Sequence, residues 1–127
     1  MDLRIEPEVS RLHGARACVR VFLLCHGVAA EVIEDVLLCM QEAAKNAMRF
    51  GDCEHPVTVE ISLEGGDVTL IVRDEGAGFD PTTVDIGALP DPLNPQGRGL
   101  YLIAALMDDV RICSPGGTEI HMRKSLA

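Results

Sequence analysis

The sequence contains no tryptophan, one tyrosine and three phenylalanines, so it has no series of aromatic faces on which nucleic-acid bases could stack. It is equally poor in positive charge: 11 Lys and Arg stand against 20 Asp and Glu, for a formal net charge of −9. No segment forms a basic stripe, which excludes direct contact with a nucleic-acid backbone. An anionic ligand must then be held by local devices such as backbone amides, a metal ion and one or two arginines. Long hydrophobic runs are also missing. The longest is far below the roughly 18 residues that span a bilayer, so a water-soluble chain with no membrane partner is expected. The cysteines Cys18, Cys25, Cys39, Cys53 and Cys113 are odd in number and lack paired metal-ligand spacing. Cys25-His26 and Cys53-x-His55 find no second pair at zinc-finger distance. No secretory leader is read ahead of them, which predicts a reducing, cytoplasmic setting in which most thiols act as small core residues.

What the chain does have is a strong amphipathic pattern. Its 127 residues, 47% of them apolar, suit a single domain over 1–127 with a real core. The spacing predicts a helix from about Ala30 to Phe50, with Ile33, Val36, Leu37, Met40, Ala44 and Ala47 in one stripe about 100° wide. An earlier amphipathic helix is expected from Glu8 to about Cys25, with Val9, Leu12, Arg16, Val19, Phe22 and Leu23 at helical spacing and Gly27 as its stop. Leu3-Arg4-Ile5, closed by Pro7, reads as a short edge strand. Strict alternation in Val57 to Leu63 and again in Val68 to Arg73, around Glu64-Gly65-Gly66-Asp67, predicts a hairpin. A second hairpin is expected from Asp109 to Cys113 and Thr118 to Arg123, around Ser114 to Gly117. Together these give an α+β fold, a two-layer sandwich with helices on one face of the sheet.

Three stretches carry candidate chemistry. Glu42 and Asn46 lie one helical turn apart, opposite the apolar stripe. They form either a solvated polar face or a rigid pair of oxygen ligands able to hold a hydrated Mg²⁺ or orient a hydroxyl. Asp74-Glu75-Gly76-Ala77-Gly78-Phe79 follows a strand directly. It is either a tight turn with a solvated acid or an acceptor for an exocyclic amine beside glycines that allow close backbone approach. Gly97-Arg98-Gly99-Leu100 opens a helix running to about Met107, where free N–H groups can bind an anion. It is not a dinucleotide fingerprint, because a proline-rich run of about eighteen residues precedes it instead of a strand. That run, Asp80 to Gly97, is expected to be a lid or binding loop.

In this order and spacing, Glu42-x-x-x-Asn46-Ala47, Asp74-x-Gly76-x-Gly78-Phe79 and Gly97-x-Gly99-Leu100-x-Leu102-Ile103 resemble the three ATP-binding boxes of the Bergerat-fold, histidine-kinase-like (GHKL) ATPases. The tail Ala104 to Val110, followed by Gly116-Gly117-Thr118, is most similar to the anti-sigma-factor serine/threonine kinases of partner-switching systems. The resemblance implies a mixed, largely antiparallel sheet and an ATP lid at about 80–97. It implies Glu42 as general base, Asn46 as ligand of Mg²⁺ and Asp74 as the adenine acceptor. Gly76, Gly78 and Phe79 would shape the base pocket, and Gly97, Arg98, Gly99 and Leu100 would wrap the phosphates of ATP, with Thr118 also at the nucleotide. It implies a sigma factor and a STAS-type antagonist as partners, and allows a homodimer. Many relatives carry His where this chain has Phe50. Two rival readings use the same residues: a protein-binding module gated by nucleotide without phosphotransfer, and a phosphatase regulator or stand-alone ATPase.

Overall fold

The computed structural model describes residues 1–50, 54–74, 96–113 and 117–126. Strand β1 (Asp2–Ile5) lies at one edge of the described sheet and pairs with β2, in register from Asp2↔Glu60 to Ile5↔Val57. Helix α1 is shorter than its pattern predicted. A 3₁₀ turn at Val9–Arg11 precedes α1 (Leu12–Cys25). The tighter turn rotates Val9 out of the helical stripe, leaving it 60% exposed, while Ala15 joins Leu12, Val19 and Leu23 in the core. The stop at Gly27 is as expected. With φ at 72°, Gly27 donates to Leu24 O at 3.1 Å and Val28 donates to Leu23 O at 3.1 Å. This is a left-handed cap whose two flanking apolar residues, Leu23 and Val28, are both buried.

Helix α2 spans Ala30–Phe50, and all six residues of the predicted stripe are buried. The other flank is not the fully solvated face that one alternative required. Cys39, Ala43 and Asn46 are buried as well, because helix α3 (Gln96–Leu106) packs against α2 on that side. Burial pushes the Cys39 thiol up to about 12, so it serves as a small neutral core group.

Strands β2 (Val57–Glu64) and β3 (Asp67–Arg73) form the predicted hairpin. Gly65 and Gly66 have φ of 58° and 82°, the pair of left-handed residues that a two-residue turn matched to strand twist requires. Strands β4 (Asp109–Cys113) and β5 (Glu119–Ser125) form the second hairpin, whose turn at 114–116 lies outside the described residues. The order across the sheet is β1-β2-β3-β5-β4. Every pairing among the described strands is antiparallel, which narrows the expected mixed sheet. Val57, Val59, Ile61, Val68, Leu70, Val72, Ile120 and Met122 alternate onto the face covered by the helices. The opposite face is charged and open. On it Arg73 pairs with Glu119 at 2.8 Å and Glu60 at 3.2 Å, and His121 meets Glu119 at 2.9 Å. Among the described residues no helix is long and apolar enough to cross a membrane.

Candidate functional site

Three polar residues among those described are buried: Asn46, Asp74 and Thr118. All three line one small cleft, together with Ala43, Ala47, Val72 and Ile120. Because burying polar side chains is costly, the convergence of three on one cleft marks a place built for something polar to enter.

Each element delivers its residue for a local reason. Asp74 follows the last residue of β3, and Thr118 precedes the first of β5. The register Arg73↔Glu119 sets the two side by side. Asp74 N–H donates to Thr118 O at 2.9 Å, and Thr118 N–H donates to Asp74 Oδ1 at 3.4 Å. The Thr118 hydroxyl is enclosed and has no hydrogen-bond partner among the described residues. On α2, Ala43 and Ala47 flank Asn46, and their small side chains leave the cleft open above the Val72 and Ile120 floor.

The neighbouring edge of the site is shaped by close approach of two helices. A Cβ at Gly99 would lie 3.1 Å from Glu42 Oε2, 3.5 Å from Asn46 Nδ2 and 3.6 Å from Glu42 Cβ. The first turn of α3 therefore rests on the edge of α2 that carries both candidate residues, and glycine is what permits it. Gly97 and Arg98 belong to the same turn of α3; their side chains lie outside the described residues. Leu100 is half-buried and packs against the core. Gly76, Gly78, Phe79 and the predicted lid up to residue 95 also lie outside the described residues, as does the Phe50 side chain. Sequence reasoning missed Ala43. Its signal was the pair of small residues Ala43 and Ala47 four apart on the flank of Asn46.

The donor set fits a magnesium nucleotide. A fixed carboxylate beside an unpartnered hydroxyl above an apolar floor suits a heterocyclic base bearing an amine. The amide and carboxylate oxygens of Asn46 and Glu42 are the hard ligands that Mg²⁺ prefers, and they sit against a helix start that favours phosphate.

Residues 5–124 match the family described as histidine kinase-like ATPase domain. The chain belongs to this family. As a histidine kinase-like ATPase domain it is an ATP-using protein with the two-layer α+β fold seen here. Among curated relatives it is similar to the serine-protein kinase RsbW of Listeria monocytogenes, 31% identical over 108 residues that cover 77% of this chain and 69% of that protein. It is also similar to the serine-protein kinase RsbW of Bacillus subtilis, 32% identical over 110 residues, covering 79% and 69%. Among solved structures, the RsbU and RsbW domains of a Mycobacterium tuberculosis protein superpose with a TM-score of 0.70 at 20% identity, covering 98% of this chain and 31% of that one. The SiaB–SiaC complex of Pseudomonas aeruginosa gives a TM-score of 0.70 at 16% identity, with 98% and 87% covered. At these identities the two structures speak for the fold.

Proposed function

We propose that this protein is an ATP-dependent serine/threonine kinase and anti-sigma factor that phosphorylates a STAS-type antagonist in a partner-switching system. The observation that carries the catalytic part is the seat of Gly99 against Glu42 and Asn46, at the mouth of a cleft whose polar lining is Asn46, Asp74 and Thr118. Asp74 accepts a hydrogen bond from the adenine amine, and the Thr118 hydroxyl gains a partner on the base. The family resemblance assigns Gly76, Gly78 and Phe79 to the base, while the amides of Gly97, Arg98, Gly99 and Leu100 receive the phosphates. Asn46 would hold Mg²⁺, which when bound neutralises phosphate charge.

Transfer then requires little covalent work from the protein. As the acceptor hydroxyl oxygen bonds to the γ-phosphorus, the bond to the bridging oxygen of ADP breaks and Glu42 takes the hydroxyl proton. The relatives named serine-protein kinase support this chemistry. The acidic chain suits a sigma factor, whose nucleic-acid-binding faces are basic. In this reading residues 1–127 are one cytoplasmic domain that can pair as a homodimer, with no direct nucleic-acid or membrane contact.

The test is transfer of labelled γ-phosphate to a cognate antagonist, with ATP affinity measured by calorimetry on the same samples. Glu42→Gln keeps the size and hydrogen-bonding capacity of the side chain but removes the base. Its rate should fall by about 10² to 10⁴ with affinity nearly unchanged. An unmodified protein that binds ATP yet transfers nothing would replace the kinase with a nucleotide-gated binding module. Transfer by Glu42→Gln at the unmodified rate would remove Glu42 from the base role.

A further inference from the structure

Far from the cleft, one side chain reaches from the sheet to both helices that build the phosphate end. Lys124, near the end of β5, donates from Nζ to Leu106 O at 2.7 Å, the carbonyl of the last residue of α3. The same ammonium lies 3.5 Å from Asp35 Oδ2 on α2, and the lysine side chain is only 18% exposed. Two further bonds hold this corner: Asp108 N–H donates to Arg123 O at 2.9 Å, and Ser125 N–H donates to Asp108 Oδ2 at 2.6 Å.

We propose that Lys124 is a positioning residue for the nucleotide phosphates, fixing the start of α3 against Glu42 and Asn46 by clamping its end to α2. The inference rests on the kinase reading above. Its physical basis is that α2 and α3 pack together with their sequence directions opposed: Asp35 and Leu106 share the Lys124 ammonium at one end, and Gly99 rests against Glu42 and Asn46 at the other. From Gly99 to Leu106 a helix is a stiff rod about 10 Å long, so a shift at its end is delivered to its start. The approach at Gly99, where an added Cβ would stand 3.1 Å from Glu42 Oε2, leaves little slack for such a shift. The chemistry at the clamp also fits. The last carbonyls of a helix have no partner within it, and a cation there is favoured by the helix dipole. The lysine side chain as a whole is largely shielded from solvent.

Lys124→Met keeps the aliphatic stem and removes the charge, while Lys124→Arg keeps both charge and reach. Affinities of the full chain for Mg-ATP and for adenosine, with melting curves, distinguish positioning from simple destabilisation. Adenosine reads the Asp74–Thr118 end alone. Lys124→Met is expected to bind ATP about 10- to 100-fold more weakly with adenosine affinity unchanged, and Lys124→Arg to recover most of the loss. Unchanged ATP affinity in Lys124→Met overturns the proposal, as does an equal loss for ATP and adenosine. If Lys124→Met fails to fold, Asp35→Asn is read by the same two affinities. It is expected to weaken ATP selectively, and equal affinity for both ligands relative to the unmodified protein overturns the proposal. Failure of the unmodified protein to bind ATP at all would instead overturn the kinase reading, and the Lys124 assignment with it.

Discussion

Replacing Gly99 by alanine separates what the first turn of α3 contributes to folding from what it contributes to phosphate handling. Gly99 is absent from the glycines with positive φ, so alanine meets no backbone strain there. Alanine also favours a helix over glycine by roughly 0.5–1 kcal/mol. Against that gain stands the new methyl group, 3.1 Å from Glu42 Oε2 where ordinary contact begins near 3.4 Å. The carboxylate must retreat by the difference, 3.4 − 3.1, or 0.3 Å. It sits on a flexible side chain, so the cost is less than the roughly 0.5–1.5 kcal/mol of a side chain forced well off its rotamer. The two effects nearly cancel, leaving stability within about 1 kcal/mol of the parent and the melting temperature within roughly 5 °C. Chemistry tolerates far less. The methyl reaches only ordinary contact with Asn46 Nδ2, at 3.5 Å, but the residue it displaces is Glu42, and a transfer rate about 10- to 100-fold lower is expected. Denaturant melts and single-turnover phosphorylation of the antagonist measure the two quantities on one sample. Transfer at the parental rate would refute the claim that this contact belongs to the reaction. A loss of several kcal/mol would show that the glycine seat is a folding requirement.

Thr118→Val removes a buried hydroxyl that has no partner among the described residues and keeps the shape of the side chain. The ligand-free protein should gain about 1 kcal/mol while ATP affinity falls; melting curves with and without ATP test this, and no gain without ligand would count against it. For Glu119, hydrogen bonds from His121 and then Arg73 hold the carboxyl below its usual value of 4.5. A depressed native value means stability that is present above 4.5 and is lost as pH falls through the native value. The stability difference between the parent and Glu119→Gln should therefore shrink on acidification, and a difference constant from about pH 7 to about pH 3 would contradict it.

The sequence displayed some of this architecture and concealed the rest for definable reasons. The bounds of α2 and of the β2–β3 hairpin were legible because a long apolar stripe and a Gly-Gly turn each leave few alternatives. The 3₁₀ turn at Val9 was not, since three residues are too few for a period to declare itself. The burial of Asn46 was equally hidden. Its own helix places it opposite the stripe, and only the docking of α3, decided some fifty residues later, encloses it. The Lys124 bond to Leu106 is a side chain meeting a backbone carbonyl across a strand hairpin, a contact that no periodicity announces.

The place of β5 between β3 and β4 governs when the cleft can come into being. During synthesis α2, β3 and α3 all precede it, so Glu42, Asn46, Asp74 and Gly99 exist in the chain before the partner of Asp74 does. Until β5 inserts, β3 has an open edge and Thr118 has no position. Pairing residues so far apart in sequence makes closure of the sheet a slow, non-local event. The Asp74–Thr118 end of the cleft consequently cannot form before the step that inserts β5 between β3 and β4.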